Sequence, residues 1–158
     1  MGMSVFAPPF HTAEMVRALF DEARAWPRYE TLYGELAVTP APFLPHQALV
    51  TELLSALHDY LQRHPAAGYV LTSPADVLVQ PDVFVVPRAA YETGLRTRRW
   101  DAVHHLRLAV EIISESSRYR DRFAKRLLYQ RQRVEHYWII DVEQRVAETW
   151  TPDAELPT

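Results

Sequence analysis

The sequence predicts a mixed α/β domain, a central mixed sheet flanked by helices. Three observations predict it. Residues 46–64 and 118–133 carry apolar side chains at helical spacing. Val83–Val86, Leu106–Ile113 and His136–Asp141 are almost continuously apolar, as in strands buried on both faces. These helical and strand-like segments interleave along the chain. With 158 residues and 48% hydrophobic content the chain suits one compact domain over 1–158, with an irregular lead-in at 1–11 and a polar tail expected to fray at 152–158.

Thr12 is the expected N-cap, and Met15, Val16, Leu19, Phe20 and Ala23 extend a short helix to about Ala25. Trp26-Pro27 stops it. Arg28 to Val38 reads as two short strands hinged near Gly34. Pro40, Pro42 and Pro45 force a loop, and the helix from His46 to about His64 carries Leu49, Val50, Leu53, Leu54, Leu57, Tyr60 and Leu61 on one stripe.

Gly68 is the turn after that helix, and Tyr69–Thr72 a strand. Asp76–Val86 is strand-rich, with Pro81 at a strand start or on an edge. Pro87 to His105 reads as a polar, basic connector with about one helical turn. Arg118–Arg133 is a helix with Phe123, Ala124, Leu127 and Leu128 inward, and His136–Asp141 pairs with Arg145–Trp150 as a hairpin.

Charge is uneven. Arg88 to Arg133 holds 12 Lys+Arg against 5 Asp+Glu, whereas the rest of the chain holds 5 against 15. Such a segment either meets phosphates or forms a solvated face and loop. The absence of cysteine excludes disulfides, thiolate catalysis and Cys-ligated zinc. No apolar run approaches the roughly 20 residues of a membrane span. The stretch MGMSVFAPPFHTAEM lacks the basic and apolar regions of a secretory signal, so cytoplasm is the expected location.

The chemistry-bearing residues lie between Gln80 and Lys125. Asp82 heads one apolar strand, and Glu111 sits in another among Ala109, Val110, Ile112 and Ile113. An ionised carboxylate there is expensive without a partner. Either Glu111 lies at an edge, facing water or an arginine, or both carboxylates converge on a hard divalent cation. Mg²⁺ takes oxygen ligands, keeps several waters and needs only one or two carboxylates. Lys125, the sole lysine beside 16 arginines, lies about 60° from Leu128 on its helix. It either pairs with Asp121 four residues back or delivers its ammonium to the carboxylates. His46, at a helix start, either caps the preceding loop or binds phosphate or supports the metal.

In their order these residues resemble the Uma-type restriction-endonuclease family, a widespread bacterial group with the PD-(D/E)xK nuclease fold. The motifs are Tyr29-Glu-Thr-Leu-Tyr-Gly-Glu-Leu36, His46, Pro81-Asp82, Val110-Glu-Ile-Ile-Ser114, the helical trio Asp121, Lys125 and Tyr129, and His136-Tyr-Trp-Ile-Ile-Asp141. The resemblance covers nearly the whole chain. It implies a restriction-endonuclease-like fold and hydrolysis of DNA phosphodiester bonds with Mg²⁺ or Mn²⁺, with Asp82, Glu111 and Lys125 catalytic. It implies metal ligation by Asp82, Glu111 and the Ile112 carbonyl, with Glu35 as an auxiliary carboxylate. In the wider fold the lysine follows the second carboxylate by two residues. Ile113 occupies that position here, so Lys125 would stand in for it. Ser114-Glu115-Ser116 departs from the usual Ser-Pro-Ser and adds a negative charge near the expected phosphate site.

DNA is the expected partner, with His46, Arg96, Arg98, Arg99, Arg118 and Arg122 as phosphate contacts. A homodimer would suit cleavage of both strands. Two other readings stay open: a nuclease-like domain that binds nucleic acid or protein without cutting, and a phosphoesterase for small molecules.

Overall fold

The computed structural model describes residues 12, 15, 28–32, 35–39, 42–73, 75, 80–113 and 118–158. It forms two compact units, Met1–Ala41 and Pro42–Thr158. In the first, Thr12 Oγ1 accepts the Met15 N–H at 3.2 Å, the bond of an N-cap. The rest of the expected first helix, and the hinge near Gly34, lie outside the described residues. Strands β1 (Arg28–Leu32) and β2 (Glu35–Thr39) pair antiparallel, with Arg28 opposite Thr39 and Leu32 opposite Glu35.

The second unit is built on a five-stranded mixed sheet in the order β3-β4-β5-β6-β7. The strands are β3 (Tyr69–Thr72), β4 (Val83–Val86), β5 (Leu108–Ile113), β6 (His136–Asp141) and β7 (Val146–Trp150). Only β5 and β6 run parallel; the other neighbours are antiparallel. Every residue of β4 and β5 is buried, as their unbroken apolar runs require.

Helix α1 (Leu44–Arg63) covers one face. It starts two residues before the expected His46 because Pro45 sits in its first turn, where the missing N–H has no intrahelical partner to lose. Val50, Leu53, Leu54 and Leu57 pack on Val70, Val83, Val85, Leu108 and Val110, and Leu61 is buried with them. Full burial of such a side chain contributes about 1.5–3 kcal/mol. Tyr60 departs from the expected stripe: it is half exposed and stacks on His64, with centroids 4.4 Å apart.

The Pro87–His105 segment is more ordered than a connector. Pro87 caps helix α2 (Arg88–Thr97), and a 3₁₀ turn follows at Trp100–Ala102. Gly94 lies inside α2, and a Cβ there would meet the Arg99 carbonyl at 3.2 Å. Arg98, left-handed at φ 58°, ends α2.

The helix after β5 also differs. Residues Arg120–Lys125 are π-helical and continue into helix α3 (Arg126–Arg131). Phe123 and Leu127, expected inward, are exposed, and Asp121, Lys125 and Tyr129 are buried instead. The polar tail does not end free: the Thr158 and Thr149 backbones exchange hydrogen bonds of 3.0 and 2.8 Å. None of the described helices is long and apolar enough to cross a membrane.

Gly68 joins α1 to β3 at φ 135°, ψ −156°, a conformation almost restricted to glycine. A Cβ there would lie 2.4 Å from the Val86 carbonyl oxygen. Gly68→Ala is expected to lower stability by about 1–3 kcal/mol in urea unfolding, and a change under 0.5 kcal/mol would contradict this backbone assignment.

Candidate active site

Asp82 is positioned by the β3–β4 turn region. Ser73 Oγ donates to the Pro81 carbonyl at 2.6 Å, and the Ser73 N–H donates to the Asp82 carbonyl at 3.4 Å. The antiparallel register between β4 and β5 ends at Val83 opposite Val110. One residue further, that register sets Asp82 opposite Glu111. The Ile112 N–H, which has no β4 residue left to bond, donates to Asp82 Oδ2 at 2.9 Å. In a strand a residue's N–H and C=O point to the same neighbour. The Ile112 carbonyl is therefore directed toward the same gap.

His46, buried in the first turn of α1, reaches this carboxylate. Its Nε2 donates to Asp82 Oδ2 at 3.1 Å. The imidazole therefore grips the Asp82 side chain from the α1 face, which supersedes the loop-capping alternative. Its Nδ1 is buried and has no hydrogen-bond partner among the described residues.

Glu111 is 4% exposed in a central strand, so it is no edge residue. Its Oε1 accepts from Lys125 Nζ at 2.8 Å and from the Tyr129 hydroxyl at 3.0 Å. Lys125, 3% exposed, also lies 3.6 Å from Asp121 Oδ1. Both partners considered for this lysine are thus present, and Glu111 is the nearer. Asp121, Lys125 and Tyr129 recur every four residues and all three are buried, so they form one inward row.

Tyr137, below the cluster, donates to the Asp121 carbonyl at 2.9 Å and packs against Tyr129 at 4.7 Å between centroids. Burial pushes the Tyr137 hydroxyl well above its ordinary range, and the nearby charges of Glu111, Asp121 and Asp82 push it further. Burial pushes Asp82 upward too. The His46 hydrogen bond and positive charge, the Ile112 N–H and the Lys125 ammonium outweigh it, so the carboxyl sits below its ordinary range.

Asp82, Glu111, Ile112, Lys125 and His46 are therefore brought together. Two of the expected arginines are engaged by other carboxylates. Arg118 pairs with Asp141 at 3.1 Å and Glu143 at 3.2 Å; Arg122 pairs with Glu148 at 2.9 Å and Asp141 at 3.4 Å. Either would have to exchange a carboxylate for a phosphate. Arg96 belongs to the last turn of α2, and Arg98 and Arg99 follow its end. The Glu35 backbone is in β2, but its side chain, like Glu115, lies outside the described residues. Tyr129 was visible in sequence only as a position of a motif, and Asp121 also as an ion-pair partner of Lys125; their four-residue spacing to Lys125 was the signal.

The donor set fits a hard divalent cation. Asp82 and Glu111 supply hard oxygen donors, and the Ile112 carbonyl is directed toward the same gap. Among the described residues no group of three or more His, Cys, Asp or Glu could hold a metal ion. Two carboxylates with a carbonyl and waters suit Mg²⁺, whereas zinc would need a fuller protein shell.

Residues 13–157 match the family described as "Uma2: Putative restriction endonuclease". Among solved structures, a nuclease from Anabaena variabilis ATCC 29413, described as "putative" and as belonging to DUF820, is similar in fold. It has a TM-score of 0.65 and 17% sequence identity, over 82% of this chain and 74% of that one. No curated protein matches the chain in sequence.

Two outcomes follow from this geometry. Lys125→Met removes the ammonium that balances the buried Glu111 carboxylate and is expected to destabilise by about 3–5 kcal/mol. Adding Glu111→Gln should recover much of that loss in urea unfolding, and an additive double variant would contradict the pairing. The second concerns acid. A carboxyl lowered by folding contributes stability that is complete above its unfolded value, about 4, and is lost as pH falls through the folded value. His46→Ala removes the two largest downward influences on Asp82. Its carboxyl ¹³C titration is expected to move to higher pH, and an unmoved midpoint would contradict the His46 contact.

Proposed function

The chain belongs to the Uma2 restriction-endonuclease family, and we propose that it is a metal-dependent nuclease that hydrolyses DNA phosphodiester bonds. The observation that carries this reading is Lys125 Nζ at 2.8 Å from Glu111 in a buried site that Asp82 borders. Two carboxylates suit a hard divalent cation, and one ammonium can steady charge building on a phosphate.

Asp82, Glu111 and the Ile112 carbonyl would hold Mg²⁺ or Mn²⁺. Such an ion, when bound, supplies an acidified water and stabilises charge on the phosphate. The protein's own groups prepare the site. His46 fixes the Asp82 carboxylate, so its free rotation is lost before substrate arrives. Tyr129 orients Glu111 through Oε1. Lys125 presents donors that can align the attacking water or steady charge on a phosphate oxygen. Asp121 limits how far the lysine can swing. Arg96, Arg98 and Arg99 supply cations for the substrate backbone.

The ion pair of Lys125 with Glu111 also favours a second reading. The same domain could retain nucleic acid without cutting it, if the ammonium held Glu111 too firmly for a cation to enter. Purified protein with Mn²⁺ and DNA separates the two. Cleavage is expected to vanish with EDTA, to be abolished by Asp82→Ala or Glu111→Ala, and to fall about 10²–10³-fold in Lys125→Ala. DNA retained but uncut at all Mn²⁺ concentrations would establish the second reading. Cleavage that survives both carboxylate substitutions would overturn the proposed mechanism.

A further inference from the structure

A cavity of about 270 Å³ lies between α2 and the β3–β4 pair. Leu71, Val86, Ala90, Tyr91 and Trp100 are among the residues that wall it, and Arg98 and Arg99 also line it. The walls are almost wholly apolar, and both arginines are exposed. Small-molecule sites start at roughly 300 Å³, so this one suits a single ring system better than a peptide.

Sheet register relates the cavity to the catalytic residues. Leu71 is opposite Phe84, and Phe84 is opposite Ala109. Cross-strand partners share a face, as do residues two apart in one strand. Leu71 and Val86 therefore lie on the face that carries Glu111, away from α1. Val86 is four residues from Asp82, about 13 Å at 3.3 Å per residue. That equals about four base steps of stacked DNA, at 3.4 Å each.

The lining chemistry narrows the ligand. Trp100 packs tilted against Phe84, with centroids 6.3 Å apart, and its ring also walls the cavity. Tyr91 stacks flat on Tyr69 at 3.6 Å, which stiffens that wall. Arg99 pairs with Asp101 at 2.9 Å, but both side chains are largely exposed, and such a pair is weak enough to exchange for phosphate. A flat apolar ring with an anionic substituent matches aromatic walls and a cationic rim. Bases stack on aromatic side chains whatever their identity, and arginines take the phosphates.

We propose that this cavity receives one unstacked base of the substrate strand, with Arg98 and Arg99 on the adjoining phosphates. The proposal rests on the nuclease reading for its substrate, but its binding test does not require catalysis. The probe is 5′-dAMP titrated into the full chain, followed by tryptophan emission, with Trp100→Phe identifying the responding residue. Saturable quenching is expected, at least tenfold weaker in Ala90→Leu, which fills the cavity, and in Arg98→Ala, which alters only an exposed side chain. Deoxyadenosine, lacking the phosphate, should bind at least fivefold more weakly, and Asp82→Ala should bind dAMP as the wild type does. With Mn²⁺, Ala90→Leu should cleave single-stranded DNA at least tenfold more slowly yet hydrolyse bis(p-nitrophenyl) phosphate at the wild-type rate, since that ester is too short to reach the cavity. Absence of dAMP binding, or binding untouched by both Ala90→Leu and Arg98→Ala, overturns the proposal. Intact dAMP binding without any hydrolysis by the wild type would leave the cavity assignment standing and remove the nuclease reading.

Discussion

The buried Glu111 carboxylate is the constraint on which the rest of the second unit depends. It sits in β5, the middle strand, whose six residues are all buried. A charge there without partners would be unfavourable by several kcal/mol. The protein meets this with an ammonium and a phenol on one oxygen, at 2.8 and 3.0 Å. That requirement turns the polar side of the following helix inward. Phe123 and Leu127 are exposed as a result, against the simple rule that apolar residues face the core. The π-helical stretch carries two of these buried groups, Asp121 and Lys125. Such insertions are frequent at functional sites.

Asp82 is secured differently, from the sheet's own ending. β4 begins at Val83, so the Ile112 N–H lacks a ladder acceptor and takes the Asp82 side chain. α1 approaches from one face with His46, and the Lys125 ammonium acts on the same carboxylate from the other. Two helices on opposite faces thus meet at one gap in the sheet. Three separate influences, His46, the Ile112 N–H and Lys125, hold this carboxyl below its ordinary range.

Much of this was legible in the sequence. The unbroken apolar runs of β4 and β5 reported full burial, and a glutamate inside such a run reported a need for partners. The stripe of α1 was read correctly from Val50 to Leu57 because its only task is to cover a hydrophobic face. The inner face of the helix after β5 was not legible by the same rule, since its partner is a carboxylate and periodicity of apolar residues is blind to that. α2 was not legible beyond one turn because the segment is polar and basic and offers few apolar residues for periodicity to register. The commitment of Arg118 and Arg122 to Asp141 was likewise invisible, because strand β6 brings that aspartate from 23 and 19 residues away.

In the proposed mechanism Asp82 and Glu111 form one cation site, with the Lys125 ammonium both competing with the ion and serving the reaction. The most direct measurement is Mn²⁺ titration of the metal-free protein by electron paramagnetic resonance. One ion per chain is expected to lose its free-ion signal in the wild type, with Asp82→Ala and Glu111→Ala both failing to bind it and Lys125→Ala binding more tightly. Wild-type stoichiometry and affinity in folded Asp82→Ala and Glu111→Ala variants would contradict the account.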